Sequence, residues 1–368
     1  MGVYRKNITF FICSMSSGGA EHQVAILSDL LVKENYDVTI TTFGDTKDHY
    51  PINKNIKRVR LAEEKPRWIK FLAIFWYLLT IKTDVVISFT QRANFFTLIP
   101  LCFRRVRVIA GERNFSVGKP LMKEKILHKW LYRRANIIVP NSFSQKDYII
   151  EHTPRLKNKV VTITNYTDLQ KFKYSILPCN DIIRVGVFGR YNSQKNYPRL
   201  IRAVRELKDL GHTKFCIECY GNHHSKGNQM NSSYIEYKTL VEELGVGDVI
   251  HLNDHVQNVA ELMPTFDAIC LPSLYEGWSN SISEAICCGK PMLVSNVSDN
   301  AHMVYDGENG YLFNPESVDT IVEAFVKFFN LDADQRRAMS LKSREIAEQL
   351  FDKEEFVAKY IKLIECWQ

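Results

Sequence analysis

The chain has 368 residues, enough for two domains of ordinary size, and its 45% hydrophobic and 24% charged residues have the balance of a globular rather than a disordered or fibrous protein. The net charge of +7 suggests an acidic partner surface, but no basic tail or nucleic-acid motif accompanies it, so a nucleic-acid partner is not expected. Nine scattered cysteines form no secreted disulfide framework, which implies a reducing, cytoplasmic compartment.

Residues 7–13 read as a buried strand; the apolar run within it is too short for a signal sequence. A loop, Ser16-Ser17-Gly18-Gly19, leads into a helix from Ala20 with Val24, Leu27, Leu30 and Leu31 on one face. A strand follows at 38–43. This βαβ opening lacks the Gly-x-Gly-x-x-Gly of a dinucleotide site, so nicotinamide and flavin chemistry are not expected.

Pro66 to Lys82 is apolar on nearly every side with basic ends. It reads as a helix that is either buried or lying in a bilayer interface. Lys57, Arg58, Arg60, Arg104, Arg105 and Arg107 lie near it in sequence, and the basic character continues through Lys119, Lys123, Lys125, Lys129, Arg133 and Arg134. Such a first domain suits an anionic membrane surface; a solvated charged face is the alternative. Strands at 84–89 and 106–110 end in Thr90-Gln91-Arg92 and Gly111-Glu112-Arg113-Asn114, and α/β sheets present ligands at such strand ends. Arg92 and Arg113 match the geometry of an acceptor diphosphate. Further elements follow at 136–140, in a helix capped by Ser142, and at 160–163.

The second half opens with a strand at 183–187, then Gly189-Arg190, with Lys195-Asn196 before a helix opened by Pro198. Strands follow at 214–220, 249–252 and 268–271, and the chain from Ser317 is helical. Cys216 and Cys219 have metal-like spacing, but strand alternation would turn them to opposite faces. His223-His224 lack a third ligand, and Asp332-Ala-Asp334 reads as a helix cap.

The most informative stretch is Leu271 to Pro291. A strand end meets a polar loop carrying Glu276, and a helix is expected from Ser281 with Glu284 in its first turn. A helix N-terminus there suits an anion. Ser281 and Glu284 also fit a capping box, and Glu276 fits a solvated loop charge.

Glu276-Gly-Trp-Ser-Asn-Ser-Ile-Ser-Glu284, followed by Cys288-Gly289-Lys290-Pro291, resembles the signature of retaining glycosyltransferases of family 4, which have the GT-B fold. Gly189-Arg190 with Lys195 is similar to that family's diphosphate-gripping motif. The resemblance implies an α/β chain of two Rossmann-like parallel-sheet domains facing across a cleft. Residues 1–170 would bind the acceptor, 171–182 would link, 183–350 would bind the nucleotide-sugar, and 351–368 would cross back to the first domain. Arg190 and Lys195 would hold the donor diphosphate, Glu276 the sugar hydroxyls and Glu284 the ribose while capping its helix. Gly18, Gly189, Asn196, Val256, Gly277, Trp278, Ser279, Asn280 and Ser281 would line the donor site; Gly19, Arg92 and Arg113 would lie on the acceptor side.

The family's cleft histidine has no counterpart among Thr90 to Arg92, and its Pro-Asn-Gly hinge reads Thr164-Asn165-Tyr166 here. The co-substrate implied is a nucleotide sugar, with UDP as the carrier by resemblance to bacterial enzymes that build lipid-linked glycans, and a glycan or polyprenyl-diphosphate-linked acceptor. No metal or other cofactor is expected, and the enzyme would be cytoplasmic, peripheral on the inner face of the membrane. A nucleotide-sugar epimerase of the same fold and a silent partner subunit are the rival readings. The silent subunit would be expected to have lost one of the four charged residues.

Overall fold

The computed structural model describes residues 5–16, 18–44, 48–61, 66–113, 122–178, 181–224 and 229–366; the expectations at Ser17, Asn114 and Lys119 lie outside them. The chain divides into two compact units, 1–166 with 353–368, and 167–352. Residues 171–178, read from sequence as part of a linker, belong to the second unit. Ser175 is the reason, since its N–H and hydroxyl both donate to the Cys288 carbonyl, at 3.2 and 3.4 Å.

The first unit is built on a six-stranded parallel sheet: β1 (Asn7–Ile12), β2 (Asp37–Thr42), β3 (Lys57–Arg60), β4 (Val85–Ser88), β5 (Arg107–Glu112) and β6 (Ile137–Pro140). Their spatial order is β3-β2-β1-β4-β5-β6. The helices are α1 (Gly19–Lys33), α2 (Arg67–Thr80), α3 (Gln91–Leu98), α4 (Met122–Ile126, continued by a π turn over Leu127–Leu131) and α5 (Phe143–His152). Strand runs such as Ile8-Thr-Phe-Phe-Ile12 and Val85-Val-Ile-Ser88 are apolar almost throughout because helices cover both sheet faces. Right-handed crossovers put α1 on one face, and α2, α3 and α4 on the other, because the connections from β3 to β4, β5 and β6 all run in the direction opposite to β1→β2. Residues 160–163, expected as a strand, run beside β6 through the isolated bridge Ile138–Val160 and the bonds from Val161 N–H to the Ile138 carbonyl at 3.0 Å and Ile163 N–H to the Pro140 carbonyl at 3.1 Å, without forming a strand of their own.

In the second unit β7 (Ile183–Phe188), β8 (Phe215–Tyr220), β9 (Ile250–Asn253), β10 (Ala268–Leu271), β11 (Met292–Ser295) and β12 (Gly310–Phe313) form a second parallel sheet, order β12-β11-β10-β7-β8-β9. Counted from the start of each unit, both sheets therefore read 3-2-1-4-5-6, the Rossmann order. The helices here are α6 (Tyr197–Asp209), α7 (Ser232–Glu243), α8 (Val259–Leu262), α9 (Asn280–Cys287), α10 (Val318–Phe329) and α11 (Ala333–Leu350). Asp332 caps α11 in a full capping box with Gln335. The last helix, α12 (Lys353–Glu365), packs on the first unit, where Tyr360 hydrogen-bonds Arg113 and Phe356 stacks on Tyr166 at 5.3 Å. Among the described residues no helix is long and apolar enough to cross a membrane.

Candidate active site

In the second sheet the chain leaves β7 in one direction towards β8 and returns through β10 in the other. The adjacent ends of β7 and β10 are thus the topological switch point, where such sheets bind ligands. The loop after β7 carries Gly189, Arg190 and Lys195, and the loop after β10 carries Glu276 to Ser279. Direct bonds tie the two loops together. Leu274 N–H donates to the Gln194 carbonyl at 2.8 Å, Gln194 Nε2 to the Tyr275 carbonyl at 2.9 Å, and Ser281 Oγ to the Phe188 carbonyl at 2.9 Å.

At the centre Lys195 Nζ donates to Glu276 Oε1 at 2.6 Å, with both side chains largely buried. Two features set this geometry. Asn192 caps the short turn Ser193–Lys195 and points the lysine back over the sheet, while Gly189 leaves room for its alkyl chain. A Cβ at Gly189 would stand 3.1 to 3.3 Å from three Lys195 carbons. Arg190, on the same loop, is exposed, and among the described residues its guanidinium has no partner. The site therefore offers one buried ion pair and one free cation, a set suited to a hydroxyl-rich, doubly phosphorylated ligand.

The helix start differs from expectation. Ser279, not Ser281, is the N-cap of α9 and accepts from the Ile282 N–H. Glu284 is then the fifth helical residue, past the reach of a capping box, so its carboxylate does not cap its own helix. Ser281 instead spends its hydroxyl on Phe188. Desolvation pushes the Glu284 carboxyl up to about 7, opposed by the positive charge of Lys171. Lys171 went unnoticed in the sequence because it lies in a segment without strand or helix periodicity. Trp278 is buried, and among the described residues neither its indole N–H nor the buried Ser273 hydroxyl has a partner. Gly277 sits between Glu276 and Trp278 in this loop, and Val256 is half-buried in the loop after β9.

Asn196, expected to touch the donor, is a structural residue. Its side chain is buried, and Nδ2 donates to the carbonyls of Pro272 at 3.0 Å and Pro315 at 2.8 Å. Its φ of 55° lies in the left-handed region, which Asn tolerates better than most residues, and this turns the chain into α6.

In the first unit the equivalent switch point lies between β1 and β4. It brings Cys13, just after β1, together with Arg92, which lies 5.7 Å over the Phe43 ring and 3.7 Å from the Cys13 sulfur, exposed. Gly18 caps α1 and Gly19 is its first residue. A Cβ at Gly18 would collide with the Glu21 carboxylate, which folds back over this helix start. An anion of the protein's own therefore sits where a donor phosphate was expected at Gly18.

Arg113 is also committed internally. It lies 4.6 Å over Phe89 and donates to Tyr360 Oη at 2.6 Å and Asn165 Oδ1 at 3.0 Å, which fixes α12 rather than presenting a cation. Its neighbour Glu112 is fully buried, accepts from the Tyr132 hydroxyl, and is pushed up to about 8 by burial.

The other motifs have local explanations. Cys219 is buried and Cys216 half-buried on the opposite face of β8. His223 stacks 3.9 Å from Tyr234 and its ring nitrogen meets the Leu252 carbonyl. Lys290 is wholly buried, donates to the Pro264 carbonyl at 2.7 Å, and is held down to about 8 by desolvation.

Comparison with known proteins agrees with this geometry. The family model for glycosyl transferases group 1 matches residues 179–346, and that for glycosyltransferase family 4 matches 17–171. The chain is 24% identical, over 98% of itself and 99% of the relative, to the Campylobacter jejuni N-acetylgalactosamine-N,N'-diacetylbacillosaminyl-diphospho-undecaprenol 4-alpha-N-acetylgalactosaminyltransferase. It is 25% identical, over 76% of each chain, to a second C. jejuni enzyme, GalNAc-alpha-(1->4)-GalNAc-alpha-(1->3)-diNAcBac-PP-undecaprenol alpha-1,4-N-acetyl-D-galactosaminyltransferase. Its fold matches Anabaena HepE in complex with UDP and glucose with a TM-score of 0.84, at 18% identity, over 99% of this chain and 100% of that one.

Proposed function

Because the chain belongs to glycosyltransferase family 4 and has its two-domain GT-B fold, we propose that it transfers a sugar from a UDP-sugar to a hydroxyl of a polyprenyl-diphosphate-linked glycan, with retention and without a metal. The observation that carries this reading is the buried Lys195–Glu276 pair beside Arg190, unpartnered among the described residues, at the second unit's switch point. The two relatives named for undecaprenol-linked acceptors, and the UDP bound by HepE, support the choice of acceptor and nucleotide.

In this mechanism Arg190 and Lys195 neutralise the negative charge that grows on the departing diphosphate, and the start of α9 adds its positive end. Glu276 accepts from sugar hydroxyls and Glu284, when ionised, from the ribose. The bond from the anomeric carbon to the phosphate oxygen breaks as the bond to the acceptor oxygen forms on the same face. The acceptor's proton passes to the released diphosphate oxygen, so no side chain is assigned as base. The fixed cations do the work a metal does elsewhere. The enzyme would build surface polysaccharide at the inner face of the cytoplasmic membrane.

The test supplies UDP-, GDP-, ADP- and dTDP-sugars with undecaprenyl-diphosphate-linked acceptor, with and without EDTA, and reads the product's anomeric configuration by NMR. The account expects consumption of a UDP-sugar, a retained configuration and no effect of EDTA. An inverted product, a different nucleotide or an EDTA-sensitive reaction each overturns the clause it addresses.

A further inference from the structure

The outer face of the first unit carries features that the active site does not use. On α2, Trp68, Leu72 and Trp76 follow one another at i, i+4 and i+8 and are 66%, 56% and 69% exposed. The opposite stripe of the same helix, Ile74 and Leu78, is buried. The expectation of a buried helix therefore fails: α2 puts its larger apolar side chains outward, against the usual preference.

The α4 segment repeats the pattern. Met122, Ile126 and Trp130 follow at the same spacing and are all exposed, while the adjoining Leu127 and Leu131 are buried. Phe103, at the end of the 3₁₀ turn Pro100–Phe103, is 75% exposed. The crossover handedness places α2, α3 and α4 side by side on one sheet face, in that order, so the stripes belong to one surface.

Charge is concentrated here too. Residues 66–134 contain fourteen Lys and Arg against three Asp and Glu, so the remainder of the chain, in a protein of net +7, is net acidic. Lys123, Lys125, Lys129, Arg133 and Arg134 are exposed beside the Met122–Trp130 stripe, and Arg105 beside Phe103. Arg58 and Arg60 of β3 and Arg107 of β5 do not contribute. Arg58 and Arg60 are bound to Asp48, and Arg107 is buried and donates to the Leu363 carbonyl.

We propose that this α2–α4 face is the surface by which the protein seats on an anionic lipid bilayer. The two tryptophan-bearing stripes lie in the headgroup–acyl boundary and the lysines and arginines beside them face lipid phosphates. Tryptophan rings, apolar with one polar N–H, suit that boundary, and the flanking charge is complementary to anionic headgroups. The same charge argues against a second copy as the occupant. A two-fold contact would set like charges against like, and interface cores are depleted of charge. The proposal deepens the reading above, since it rests on a lipid-linked acceptor for its purpose, although its evidence is separate.

The experiment is co-flotation with vesicles of phosphatidylcholine alone and of equal parts phosphatidylcholine and phosphatidylglycerol. It uses the wild type, Leu72→Glu/Trp130→Glu, and Lys123→Glu/Lys125→Glu/Lys129→Glu. Lipids carrying bromine at known depths report tryptophan quenching, and UDP binding is measured in parallel without lipid. The wild type should bind the anionic vesicles, weaken with salt and show quenching. Each variant should lose at least about tenfold in partitioning while keeping UDP binding and thermal midpoint. Equal binding to both vesicles, variants that float like the wild type, or a wild-type dimer that the variants dissociate would overturn the proposal. Failure to bind UDP alongside the expected flotation would instead sink the donor reading and leave this surface standing.

Discussion

In the second unit, the loops after the first and fourth strands hold an ammonium and a carboxylate 2.6 Å apart beside a free guanidinium. In the first unit, the corresponding loops hold an exposed guanidinium resting on Phe43 beside a thiol, and the neighbouring arginine is bound to Tyr360. Both sheets have the same strand order. The difference teaches that topology selects where a ligand binds while side chains decide which chemistry occurs there. The second unit places its charges at its switch point, whereas the first spends several of its own on packing and on its outer face.

The comparison predicts its largest effect at Lys195. Lys195→Ala should cut transfer by about a thousandfold and, by stranding Glu276, lower stability by about 3 kcal/mol. Lys195→Ala/Glu276→Gln should recover most of that stability in urea titrations but none of the activity. If the double variant remained as unstable as the single, the pair would not be the unit described here.

Arg190→Ala should cost about a hundredfold in transfer yet leave stability within about 0.5 kcal/mol, because this exposed arginine holds nothing in place. Equal losses of stability in the two single variants would erase the distinction between a buried pair and a free cation.

Glu284 sharpens the comparison through pH. Its folded value, raised to about 7, means that this group's contribution is fully present below the ordinary carboxylate value and is lost as pH rises through about 7. Glu284→Gln should therefore flatten the fall in stability between weakly acidic and weakly basic pH by up to about 2 kcal/mol, allowing for partial solvent access. Donor affinity should move the other way. It should rise with pH in the wild type as the carboxylate ionises, and stay level in the variant, measured by titration calorimetry.

The smallest effect is expected in the first unit. Tyr360→Phe removes one bond to Arg113 and should cost about 1 kcal/mol, with faster hydrogen exchange in α12 and transfer within about twofold of wild type. A large loss of transfer would mean that Arg113 has a role beyond packing.

Much of the second unit was legible from its residues. β10 ends where its apolar run does, and the Gly189–Lys195 and Glu276–Glu284 stretches occupy one switch point. The four-residue strands β11 and β12 were not legible, since so short an apolar run has no measurable period; nor was β3, whose sequence Lys-Arg-Val-Arg reads as a charged loop. The cap was misplaced because Ser279 and Ser281 stand two residues apart at the helix start, and only backbone geometry chooses between them. Asn196 and Arg113 looked like ligand contacts because their partners, Pro272, Pro315 and Tyr360, are distant in sequence. The exposure of α2 escaped for a related reason: an all-apolar helix carries no label for its outer face.

The most direct test of the central claim is a thermal-shift screen of wild type, Arg190→Ala and Glu284→Ala against UDP-, GDP-, ADP- and dTDP-sugars. A ligand at ~100 times its dissociation constant adds about 2.7 kcal/mol of stability, well within detection. The account predicts a shift with UDP-sugars that both variants lose. No shift with any nucleotide sugar, or a shift that both variants keep, would contradict a donor site built on Arg190, Lys195, Glu276 and Glu284.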